Sequence, residues 1–126
     1  MKPRHIAQFN FNDSINNFVN LFLDEIKKNL PEVSSTIKDS KYSIQINLIN
    51  EGEEFSYSIA QFPNEAKLIL FVEPKLKFFQ ALFGKKDLIQ HNAINLAHRI
   101  LKDNNQITNL GWLLSQQAYK RATENP

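Results

Sequence analysis

The stretch Tyr42-Ser43-Ile44-Gln45-Ile46-Asn47-Leu48, followed by Phe55-Ser56-Tyr57-Ser58-Ile59 and by Leu68-Ile69-Leu70-Phe71-Val72, decides the fold class. In the first two segments apolar and polar residues alternate with the period of two that a half-buried strand requires. Asn50-Glu51-Gly52-Glu53 reads as the turn between strands one and two, and Pro63-Asn64-Glu65-Ala66 as the turn between strands two and three. Tyr42, Ile44, Ile46, Phe55, Tyr57 and Ile59 are therefore expected beneath a helical layer. Ser43, Gln45, Asn47, Ser56 and Ser58 should form a polar, uncharged outer face; a slip of one residue would exchange the two sets.

Helical periodicity flanks this region. Ile15, Phe18, Val19, Phe22, Ile26 and Leu30 recur at three- and four-residue steps, with Asn12 or Asp13 as the expected cap, Asp24 and Lys28 as an outer pair, and Pro31 as the stop. Asp87 followed by Gln90 resembles a capping box opening a helix with Ile89, Ala93, Leu96, Ala97, Ile100 and Leu101 on one stripe. Ile107, Leu110, Leu114 and Ala118 suggest a last helix, antiparallel to the one before it. Glu32 to Lys41 is polar and reads as a connection, while residues 1–11 read as a tail or an edge strand. The expected architecture is α+β: an N-terminal helix, a three-stranded antiparallel meander and two C-terminal helices on one face of the sheet. Residues 1–126 form a single domain on this reading.

Composition excludes some chemistry. The chain has 126 residues and no cysteine, which removes thiol nucleophiles, thiolate metal sites and disulfides. Fifteen basic residues against 13 acidic ones leave a net charge of +2, too little to draw in nucleic acid without local clustering. Met1-Lys2-Pro3-Arg4 is not followed by an apolar core of signal-peptide length, so neither secretion nor membrane spanning is expected, and a cytoplasmic location is. Abundant Asn, Lys, Ile and Phe with scarce Gly is the bias of AT-rich codons, which points to a bacterial or phage source.

Candidate catalytic groups fail on spacing. His91 and His98 lie seven apart on one helix, about 10 Å from each other, too far for one metal ion, and His5 falls in the N-terminal segment. Gly52, Gly84 and Gly111 are isolated, whereas a phosphate-cradling loop needs several glycines together. Ser34, Ser35 and Ser115 lack the flanking glycines of a nucleophile elbow. Glu51, Glu53 and Glu54 form the one acidic cluster, which suits a soluble hairpin tip better than paired-carboxylate catalysis or a cation site. No cofactor and no metal is expected.

The surfaces say more. Lys75-Leu76-Lys77-Phe78-Phe79-Gln80-Ala81-Leu82-Phe83-Gly84-Lys85-Lys86 sets aromatics between lysines. A core plug, a membrane-surface piece and a nucleic-acid patch all fit that pattern, the plug best because the aromatics have helical spacing. In a meander, Glu51, Glu53 and Glu54 approach Lys75 and Lys77 and neutralise them. Trp112, Gln116 and Tyr119 lie on the last helix away from Leu110 and Leu114, the composition of an interface hot spot. Strand three carries Ile69 and Phe71 on one side and Leu68, Leu70 and Val72 on the other, so its edge should be covered by a strand from residues 5–11, by a twin subunit or by a partner's strand.

The order helix, three strands, lysine-led helix resembles double-stranded-RNA-binding domains over about half the chain, with Lys85 and Lys86 in the place of that family's lysines. That resemblance implies RNA binding by the first hairpin loop. Here the loop is Asn50-Glu51-Gly52-Glu53-Glu54, without the family's Gly-Pro-x-His pattern, which would press carboxylates against phosphates. The same order also resembles part of bacterial secretion chaperones. The function these readings favour is non-enzymatic: a small bacterial immunity or chaperone/adaptor protein that binds a toxin or effector, with a homodimer as a further expectation. The partner-binding candidates are Trp112, Tyr119, Gln116, Ile69, Phe71, Lys75, Lys77, Lys85 and Lys86. The alternatives are an RNA-binding module and a small hydrolase or nuclease using Glu51, Glu53, Glu54 or the histidines.

Overall fold

In the computed structural model, residues 4–41, 43–61, 67–75 and 85–111 are described. They run β1 (Arg4–Phe11), α1 (Ile15–Asn29), β2 (Ser34–Asp39), β3 (Ser43–Asn50), β4 (Glu53–Gln61), β5 (Lys67–Lys75), α2 (Lys85–Lys102) and β6 (Ile107–Gly111). The strands form one six-stranded sheet in the order β2-β3-β4-β5-β1-β6, each neighbouring pair antiparallel. The expected three-stranded meander with an N-terminal helix and two C-terminal helices is thus corrected to a six-stranded sheet carrying two helices among the described residues.

Each difference has a local cause. The chain's first strand, β1, places Ala7, Phe9 and Phe11 in the core and pairs with β5 on one side and β6 on the other. Strand β5 is therefore interior, which is why both of its faces are apolar; of the three covers the sequence allowed for its edge, the strand from residues 5–11 is the one found. Glu32 to Lys41 contains β2, whose residues are almost all exposed, so it lacks the buried alternation that marks a strand. The last predicted helix begins instead with β6. Asn109 there has φ 53°, which breaks the alternation and lets Ile107 and Leu110, three apart, both pack on the core as they would on a helix. Residues 112–126 lie outside the described residues.

The meander itself, β3 to β5, has the expected register, with Ile46 opposite Tyr57 and Tyr57 opposite Val72. Ile44, Ile46, Leu48, Phe55, Tyr57 and Ile59 are buried in the core beneath the helices. Tyr42 lies outside the described residues. Ser43, Gln45, Asn47 and Ser58 are half-buried on the opposite face, where Ser56 is wholly buried and accepts a 3.4 Å hydrogen bond from Gln45 Nε2.

Between them the helices pack over β4, β5, β1 and β6, α1 on β4 and β1 and α2 on β4, β5 and β6, rather than over β2. Phe18 of α1 meets Phe9 and Phe11 of β1 at ring separations of 5.0 and 5.4 Å, and Phe22, one turn on, meets Tyr57 edge-on at 5.0 Å. Such pairs add about 0.5–1.5 kcal/mol each beyond simple burial. The Tyr57 hydroxyl donates to the Ala93 carbonyl of α2 at 2.5 Å, so one fully buried side chain touches β4, α1 and α2. Burial raises the Tyr57 pKa far above its ordinary value, against a small opposing effect of Arg99.

Helix α1 starts later than sequence suggested. Ser14 is the cap, its Oγ accepting from the Asn17 amide at 3.1 Å, while Asp13 Oδ1 accepts from the Ser14 amide at 2.7 Å. Its outer ion pair joins Lys28 to Glu25 rather than to Asp24. Replacing Ser14 by Ala should cost about 1 kcal/mol in urea unfolding, the usual loss of an N-cap acceptor, and Asn12→Ala close to nothing. Equal effects of the two substitutions would place the cap elsewhere.

Candidate functional site

A cleft of about 760 Å³ opens where the β3–β4 hairpin meets the end of α1 and one face of α2. Its apolar lining comes from Leu30, Phe55, Ile89, Ala93 and Leu96, and its polar lining from Asn50, Glu51 and Glu53 of the hairpin and Asn92, Asn95, His98 and Arg99 of α2. The size falls within the range of ligand-holding clefts, and an apolar floor with a few polar groups is their usual construction.

The hairpin tip contributes a strained residue. Glu51 and Gly52 occupy the two-residue turn with φ 51° and 81°, the left-handed backbone of a type I′ turn. Glycine adopts that conformation freely and asparagine tolerates it, but a glutamate there costs about 1 kcal/mol. The strained residue lines the cleft. Strand alternation then splits the acidic cluster: Glu53 stands on the helix side and also lines the cleft, while Glu54 faces the other way, in register with Lys75.

Helix α2 supplies the opposite wall. His98, half-buried, has its pKa lowered chiefly by burial and further by Lys102, with Asp103 acting in the other direction, so its neutral form is favoured. Arg99 also lines a second, more polar cleft of about 620 Å³ between α1 and the loop Asp103–Gln106, and so stands at the boundary of both. Tyr57, below the floor, fixes Ala93 and thereby the height of this wall.

The residues singled out from sequence are thus redistributed. Ile69 and Phe71 lie on the sheet face away from the helices, Ile69 buried and Phe71 half-buried, on a strand paired along both edges. Lys75 ends β5, and Lys85 and Lys86 open α2, two residues earlier than the Asp87 start that the capping pattern implied. Lys77, Trp112, Gln116 and Tyr119 lie outside the described residues. Glu51, Glu53 and His98, judged separately in sequence, meet in one cleft, joined by Arg99, Asn92 and Asn95, which no motif flagged. Among the described residues no three His, Asp or Glu side chains are grouped to hold a metal ion. No helix among them is long and apolar enough to cross a membrane.

No family model matches this chain, and no curated protein is significantly similar to it.

The strain at Glu51 makes a quantitative prediction. Glu51→Asn should raise stability by about 0.5–1 kcal/mol, because asparagine enters the left-handed region more readily, while removing a carboxylate from the cleft. A loss of stability in thermal or urea unfolding would show that Glu51 makes compensating contacts in the free protein.

Proposed function

We propose that the chain is a non-enzymatic protein-binding protein, of the small bacterial immunity or chaperone/adaptor kind, which holds a segment of a toxin or effector in the hairpin–α2 cleft. The supporting observation is the strained Glu51 on the rim of a cleft that combines an apolar floor with carboxylates on one wall and Arg99 on the other. A residue retained in an unfavourable turn conformation beside a recessed surface suggests selection for contact rather than for stability. Apolar side chains of a bound segment would fill the floor, and its charged groups would meet opposite charges at either rim.

The hydrolase or nuclease reading keeps one specific support: Glu53 and His98, a carboxylate and an imidazole held largely neutral, line the same cleft. The RNA-binding reading is weaker, since it was drawn from an order of elements that β1 and β2 interrupt. Titration calorimetry against the protein encoded beside this chain, with Arg99→Glu as the variant, distinguishes the first two. Binding weakened roughly tenfold or more by Arg99→Glu, with no turnover, is the expected result. A divalent metal bound more tightly than millimolar and lost in Glu53→Gln would move the assignment to the enzyme.

A further inference from the structure

The two edges of the sheet differ. At one, β6 is short and interrupted by Asn109 at φ 53°, a local break of the kind that blunts an edge. At the other, β2 is a regular strand paired only with β3 among the described residues, with no bulge and no left-handed residue, and Ile37 in its middle is 47% exposed. Only Lys38 guards its face away from the helices.

The hydrogen-bond phase of β2 follows from its turn. The Ser40 amide donates to the Ser43 carbonyl at 2.9 Å, in the same register as the pairs Asp39–Ile44 and Ile37–Ile46. Antiparallel ladders alternate bonded and non-bonded pairs, so Lys38, Thr36 and Ser34 bond to β3, and Ser35, Ile37 and Asp39 turn their N–H and C=O groups outward. Three outward residues at alternate positions are a template for one more strand.

We propose that the occupant is β2 of a second copy of this chain, paired antiparallel about a two-fold axis through Ile37, so that two sheets join into one. In this register Ile37 faces Ile37 of the other copy and Ser35 faces Asp39 in both directions, and every outward N–H and C=O finds a counterpart. The arrangement suits the side chains. Two half-exposed isoleucines cover each other, and each Ser35 hydroxyl donates to an Asp39 carboxylate. A slip of two residues one way sets the carboxylate beside Val33, and the other way beside Ile37, losing the serine partner in either case. Since the contact is isologous it closes at two copies and does not propagate. It is independent of the cleft, so either assignment can fail alone.

The absence of cysteine from the chain makes the register directly measurable. Facing residues of an outward-bonded pair stand about 5.5 Å apart between Cα atoms, within disulfide reach. Ser35 and its own copy would be roughly 14 Å apart, beyond it. In glutathione buffer at about 100 μM protein, Ile37→Cys should form a covalent dimer at least tenfold faster than Ser35→Cys, and sedimentation of the native chain should show a dimer that dissociates on the order of micromolar concentrations. Ile37→Pro, which removes an amide that β3 does not use, should leave a folded monomer by circular dichroism. A native chain that sediments as a monomer at 100 μM, or equal crosslinking from positions 35 and 37, would overturn the proposal, as would a dimer that survives Ile37→Pro.

Discussion

The hydrogen bond from the buried Tyr57 hydroxyl to the Ala93 carbonyl fixes where the second layer sits on the sheet. A wholly buried phenol that lost this acceptor would carry a desolvation penalty of about 1–3 kcal/mol, so sliding α2 along the sheet is opposed by more than lost packing. The Tyr57 ring also meets Phe22 and Phe55 edge-on, at 5.0 and 5.8 Å, which ties α1 to the same point. Six strands span about 24 Å between their outer members, whereas two helices cover about 20 Å. With the layer displaced toward β4, β5, β1 and β6, the shortfall appears at β2. The cleft beneath the hairpin and the bare strand beyond it are two consequences of that placement.

How far sequence revealed this fold depended on how far each segment is buried on one side only. Strands β3 and β4 were legible because Ile44, Ile46 and Leu48, and Phe55, Tyr57 and Ile59, enter the core while the residues between them are polar, Ser56 among them although it is buried on the opposite face. Strand β2 carried no such signal because it lies beyond the helices, leaving Ile37 as its one large apolar residue and that one half-exposed. In β6, the left-handed Asn109 produced a spacing of three between inward residues, which imitates a helix. The two-sided apolar pattern of β5 was a true signal of an interior strand, but it left three covers open, and only the structure shows that β1, with Phe9 and Phe11 turned inward, is the one.

The cleft was legible only in parts. The acidic cluster and His98 stood out by residue type, but their meeting depends on a contact between β4 and α2 that no local pattern encodes. Arg99, Asn92 and Asn95 belong to no motif, and nothing in their spacing separates them from a solvated helix face. A usable signal did exist in the turn: a hairpin with a two-residue loop favours Asn-Gly, and this one has Glu51-Gly52. The surplus apolar surface inferred from Trp112 and Tyr119 belongs to residues outside those described, so the case for a partner now rests on the cleft and on the β2 edge.

Because Tyr57 anchors this account, its titration tests the account most directly. The folded state holds its proton more tightly than the unfolded state, so the stability it contributes is complete below the unfolded tyrosine value of about 10 and is lost as pH rises above it. An alkaline titration followed by near-ultraviolet absorbance and by circular dichroism would report ionisation and unfolding together. The chain has three tyrosines. One of them should ionise only as the fold collapses, and that step should vanish in Tyr57→Phe. Ionisation of all three near pH 10 with the fold intact would contradict a buried, hydrogen-bonded Tyr57 and the placement of α2 that follows from it.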